Sequence, residues 1–169
     1  MAKAKGSAGR VIRPGHLSEI VSLDGLQNDP AFFDRTTERA YVFNSDGTLN
    51  MTASQHIAHS VDIPPEIAWT LGNKILIHNH PIPVLATNLN FGLSMGDVYL
   101  TAKYNLSEIR ATNIIGTHIL RRGKNGWPSM DKVENAINSS RNDYGSVGDG
   151  TWARDFARKT GGTYAFIPR

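Results

Sequence analysis

The chain has 169 residues, with 18 Lys/Arg against 15 Asp/Glu, and no cysteine. That length suits one domain with a real core, and 40% apolar with 20% charged residues is an ordinary globular balance. Without cysteine there can be no disulfide, thiolate zinc site or cysteine nucleophile, and no apolar run reaches the roughly 18 residues that span a bilayer.

Residues 1–12 carry Lys3, Lys5 and Arg10 among small residues and lack the apolar segment of a secretory signal. They are expected to be a disordered basic arm on a cytoplasmic protein, with one domain over 13–169. The other basic cluster is Arg121-Arg122-Gly123-Lys124. A net charge of +3 and a pI near 9.3 read as solvated surface, because specific nucleic-acid binders concentrate charge and interleave aromatics.

Along 11–37, Pro14, Gly15, Gly25 and Pro30 interrupt any long element. Leu17 to Val21 suits a short helix or strand, and Ala31 to Asp34 a turn of helix. Ala40 to Asn44 reads as a strand, Ser45-Asp46-Gly47 as a turn and Thr48 to Thr52 as the return strand. His56 to Val61 is a further candidate strand. Pro64-Pro65-Glu66 opens a helix to about Leu71, with Gly72 as its stop. Lys74 to His80 has the Ile/Leu content of a central strand.

Pro81 to Leu93 is a Pro-containing loop, and Ser94 caps a helix from Met95 to about Tyr104. Ile109 to Ile115 and Thr117 to Arg121 read as strands, followed by a turn over 123–126. Ser129 caps a helix whose apolar face is Met130, Val133, Ala136 and Ile137. Arg141 to Gly150 reads as loop, Thr151 as the cap of a helix to Lys159, and Thr163 to Ile167 as a closing strand. The alternation predicts a single α+β domain with a mixed sheet flanked by helices.

The densest chemistry lies in His78-Asn79-His80-Pro81 and, beyond a loop of 13 residues, Ser94-Met95-Gly96-Asp97. Histidines at i and i+2 of a strand share a face, so His78 and His80 present two nitrogen ligands side by side. Asp97, on the next helix, is a third ligand candidate, and three protein ligands leave one position of a tetrahedral Zn2+ open to water. An open position is what separates a catalytic zinc site from a structural one.

With an upstream Glu38, these residues resemble the JAMM/MPN-domain zinc metalloproteases, whose signature is a distant Glu, His-x-His-Pro, a loop, and Ser-x-x-Asp opening a helix. The resemblance spans about Glu38 to Arg122. The final helix and the Tyr164 strand look like the ending of small bacterial, phage- or toxin-associated members. The loop after His80 is a few residues longer than the commonest family spacing, and Glu38 lacks the Gly-rich stretch that often follows the family glutamate.

The resemblance implies an MPN/cytidine-deaminase-like sandwich and a zinc-dependent cleavage of peptide or isopeptide bonds in a protein or peptide substrate. It implies His78, His80 and Asp97 as zinc ligands and Glu38 as the group that moves a water proton to the leaving amine. Ser94 would donate to the tetrahedral oxyanion. Bland roles compete: Ser94 is also a good cap, Asp97 also complements a helix dipole, and Glu38 also suits a solvated strand entrance.

Glu66 and Glu108 compete with Glu38 but do not fit the family order. His56 and His59 would fall on opposite faces of a strand, against a second metal site. His118 and the three tryptophans read as structural, with Trp69, Trp127 and Trp152 packing into core or element ends. Alternative readings are a non-catalytic MPN-like scaffold module and a RadC-like nucleic-acid-associated protein, the latter sharing His-Asn-His-Pro.

Overall fold

The structure, a computed structural model, describes residues 10–12, 22–33, 38–54, 68–80, 92–144 and 150–169. Its strands are β1 (Arg10–Ile12), β2 (Arg39–Phe43), β3 (Leu49–Ser54), β4 (Ile75–Asn79), β5 (Glu108–Thr112), β6 (Gly116–Arg121) and β7 (Thr163–Pro168). The helices are α1 (Leu23–Gln27), α2 (Pro30–Phe33), α3 (Met95–Lys103), α4 (Met130–Tyr144) and α5 (Thr151–Thr160), with a 3-10 turn at Trp69–Leu71. The expected α+β domain with a mixed sheet flanked by helices is the fold observed. No described helix is long and apolar enough to cross a membrane.

The strands form one sheet in the order β1-β3-β2-β4-β5-β6-β7, in which β4 and β5 pair in parallel and every other pair is antiparallel. A parallel pair needs a crossover, and α3 lies on that crossover. The N-terminus of α3 therefore follows the loop that leaves the C-terminal end of β4. Period-2 alternation then assigns the two faces. Leu76 and His78 share one face with Ile109 and Leu120, in the larger core that includes Val98, Val133 and Phe156. Phe43 and Ile77 face the other way, into a smaller core with Leu23, Leu26 and Phe32.

Several boundaries move from their expected positions. Arg10–Ile12, expected inside the disordered arm, pairs with β3 as an edge strand, Val11 opposite Ala53; two β-branched residues outweigh the basic arm around them. The strand expected to reach Ile115 stops at Thr112. There the Asn113 side chain accepts from the Ile115 and Gly116 amides at 2.9 and 3.2 Å and turns the chain.

The helix α4 runs past Arg141 to Tyr144, where loop was expected. Contacts to α5 hold this last stretch: Ser140 Oγ donates to Asp155 at 2.8 Å, and Lys159 reaches Asp143 at 3.2 Å. Thr151 is not the cap of α5; Gly150 is, at φ 83°. A Cβ there would also come within 1.8 Å of the Tyr164 hydroxyl, so the position needs glycine twice over.

Trp152 is buried, and Trp127 Nε1 donates to Leu106 O at 2.9 Å, as core and element-end roles require. Trp69 is instead 80% exposed, because Ala68 and Leu71 take the inward positions of its turn. The segments Leu17–Val21 and His56–Val61, and the start of the helix expected from Pro64, lie outside the described residues.

Candidate metal centre

The site forms where the C-terminal end of β4 meets the N-terminus of α3. His78 is on β4 and fully buried, facing the larger core. His80 lies one residue past the strand, yet its amide donates to Thr112 O at 2.8 Å, which continues the β4–β5 pairing and holds its ring beside His78. The two Nε2 atoms are 2.8 Å apart. At that distance one nitrogen can carry a proton that the other accepts, or both can face one cation.

Asp97 closes the group from the helix side. Its Oδ1 is 3.2 Å from His78 Nε2 and its Oδ2 is 3.5 Å from His80 Nε2. The carboxylate is aimed by a capping box: Ser94 N donates to Asp97 Oδ2 at 2.6 Å, and Asp97 N donates to Ser94 Oγ at 3.1 Å. Thr101 adds a hydrogen bond to Asp97 O at 2.6 Å. The interaction that starts α3 is thus the one that orients the carboxylate. Ser94 Oγ accepts in that bond, so its own O–H remains able to donate.

Glu38 is buried immediately before β2, with Oε1 3.9 Å from His78 Nε2. Donor atoms of Glu38, His78 and His80 lie within 4.8 Å of one another. Both carboxylates therefore reach the histidine pair, Asp97 more closely than Glu38. Burial alone would raise the Asp97 carboxyl. The charge of His78, the hydrogen bonds from both imidazoles and the charge of His80 outweigh it and hold Asp97 well below the usual carboxylate range.

Two imidazole nitrogens and a carboxylate oxygen are the donor types of a catalytic zinc site. With Zn–N near 2.0–2.1 Å, the edge of a zinc tetrahedron is about 3.3 Å. The 2.8 Å between the two Nε2 atoms and the 3.2 Å from His78 Nε2 to Asp97 Oδ1 lie near that edge, and His80 Nε2 is 3.5 Å from the other carboxylate oxygen. Charge also fits, since two carboxylates and two neutral imidazoles are balanced by one divalent cation. One atom is left over: His78 Nδ1 is buried and has no hydrogen-bond partner among the described residues. The donor set fits zinc.

All five residues singled out in the sequence thus meet, with Ser94 at the rim and Glu38, His78, His80 and Asp97 inside. Glu108 does not join them: it is paired with Arg110 and, at 2.5 Å, with Arg121. His118 is structural as expected, its Nδ1 2.6 Å from the Tyr164 hydroxyl. Glu66, His56 and His59 lie outside the described residues, as does most of the loop after His80.

Sequence reasoning passed over Asn79. It is fully buried between the two histidines and accepts from the Arg39 amide at 2.6 Å. The signal was present, because a polar side chain on a central strand must find a partner. No family model, curated protein or solved structure matches the chain.

Proposed function

We propose that the chain is a zinc-dependent hydrolase of the JAMM type, cleaving a peptide or isopeptide bond with an activated water. One observation carries this reading: two imidazole nitrogens 2.8 Å apart converge with Asp97 at 3.2 Å and Glu38 at 3.9 Å at a strand end. His78, His80 and Asp97 would hold the ion. Bound zinc supplies Lewis acidity and brings the pKa of water down to about 7.

The remaining work falls to the chain's own groups. Glu38 is buried close to the histidine pair but is the farther of the two carboxylates, which suits a base more than a ligand. It takes the proton of the attacking water and returns it to the leaving amine. Ser94 Oγ accepts in the cap, which leaves its O–H to donate to the oxygen on which charge develops, an interaction worth a few kcal/mol in comparable sites. Burial of His78 and Glu38 keeps bulk water from competing.

The test is Glu38→Gln. We expect this variant to bind zinc as the wild type does and to lose on the order of 10²–10⁴ in turnover against a panel of peptide and isopeptide substrates. Undiminished turnover in Glu38→Gln would move the base to another residue. Absence of any zinc-dependent turnover in the wild type would remove the hydrolase reading.

A further inference from the structure

The antiparallel ladder between β2 and β4 ends with Ala40 opposite His78. One residue further out the Asn79 side chain takes over, its Oδ1 accepting the Arg39 amide at 2.6 Å across 40 residues of sequence. This bond adds one side-chain rung at the point where the chain enters β2, and Glu38 is the next residue outward. With consecutive Cα atoms about 3.8 Å apart, fixing the Arg39 amide limits where Glu38 can place its carboxylate.

The Asn79 end of this rung is rigid. Asn79 is fully buried and pairs in register with Thr112 of β5. Thr112 O in turn holds the His80 amide at 2.8 Å, and Thr112 Oγ1 is bonded to Thr117 and to Arg169 at 2.9 and 2.6 Å. The three residues of His78-Asn79-His80 therefore divide their work by alternation. The histidines point to the metal side, and the asparagine between them turns to the opposite face and grips the strand that begins just after Glu38.

We propose that Asn79 is a positioning residue that sets Glu38 against the histidine pair, through the Arg39 amide. Its consequence for turnover rests on the hydrolase reading; the placement itself does not. By strand alternation Asn79 faces away from the histidine pair. An amide oxygen suits the role, because it accepts the backbone N–H without adding a negative charge beside Glu38 and Asp97.

The experiment pairs amide hydrogen exchange with a double-mutant cycle. In Asn79→Ala the Arg39 amide should exchange at least tenfold faster, while the Ile77 and Val42 amides stay protected. With zinc bound, kcat should fall about tenfold or more at unchanged KM and zinc stoichiometry. In a Glu38→Gln background the same substitution should cost nothing further. Asn79→Asp keeps an acceptor oxygen at the same reach and should retain the Arg39 protection, which guards against an unfolded alanine variant.

Unchanged Arg39 exchange in Asn79→Ala, or lost protection in Asn79→Asp, would overturn the placement. An equal loss of kcat with and without the Glu38 carboxylate would overturn the route through Glu38. If the wild type turns over no amide with zinc bound, the hydrolase reading fails while the exchange measurements still decide the placement.

Discussion

The two faces of the central sheet both bury charge, and they balance it differently. On the face under α1, Glu108 is gripped by Arg110 and Arg121, and Arg110 also donates to Gln27 at 2.5 Å and lies 3.6 Å from Asp24. Two guanidinium groups meet two carboxylates, and the charge closes within the chain. On the opposite face, Asp97 and Glu38 both approach the His78 imidazole, Asp97 also reaches His80, and His78 Nδ1 has no partner among the described residues. That cluster needs two protons or one dication to reach neutrality. A buried network that closes on itself reads as architecture, whereas one that stays open reads as a site.

The sharpest break in this contrast is Asp97→Ala. It removes a proposed zinc ligand and the carboxylate half of the α3 capping box together. Zinc-dependent turnover should fall by more than a thousandfold, with a stability loss of about 1–2 kcal/mol, seen in assays of the zinc-loaded protein and in urea melts.

On the closed face, Glu108→Ala should do the reverse. It leaves Arg110 buried without its carboxylate, and removing one partner of a buried pair costs about 3–5 kcal/mol. Zinc stoichiometry should stay at the wild-type value, so a denaturant melt and a metal assay on one sample separate the two faces. A variant that lost zinc along with stability would erase the distinction.

Ser94→Ala is the subtler probe. Loss of the cap acceptor should cost about 1 kcal/mol of stability. Loss of the donating O–H should lower kcat by one to two orders of magnitude with zinc retained. A stability change without a kinetic one would leave Ser94 as a cap alone.

The smallest effect is expected away from both clusters, at Asp155. Hydrogen bonds from Lys159, acting against partial burial and joined by Arg158 and Ser140, hold its carboxyl down at about 2. Its folded-state pKa is therefore below the unfolded value of about 3.9. The stabilisation is fully present above pH 4 and is lost as pH falls toward 2. Asp155→Asn should flatten that part of the melting-temperature profile and leave the neutral-pH zinc titration unchanged.

How much was legible in the sequence follows the same division. The open cluster is written in short-range patterns: His78 and His80 at strand spacing, and Ser94 and Asp97 as a capping box, so local rules brought four side chains close to their places. Glu38 came from resemblance, and the fold delivers it because β2 pairs with β4. In the closed cluster Glu108 and Arg110 share a strand face at i and i+2, but its ties to the rest of the chain are distant: Gln27 reaches Arg110 across 83 residues, and Arg169 reaches Gln27 O across 142. No periodicity encodes such pairs. Asn79 was passed over for the same reason, its contact to Arg39 being nonlocal. Trp69 misled because apolar size predicts burial only on average.

The most direct test of the central claim is an equilibrium zinc titration of chelator-stripped wild-type protein beside His78→Ala at neutral pH. The account predicts one zinc per wild-type chain, a melting temperature that rises with zinc, and neither effect in His78→Ala. Equal zinc binding by the two proteins, or none by the wild type, would contradict it.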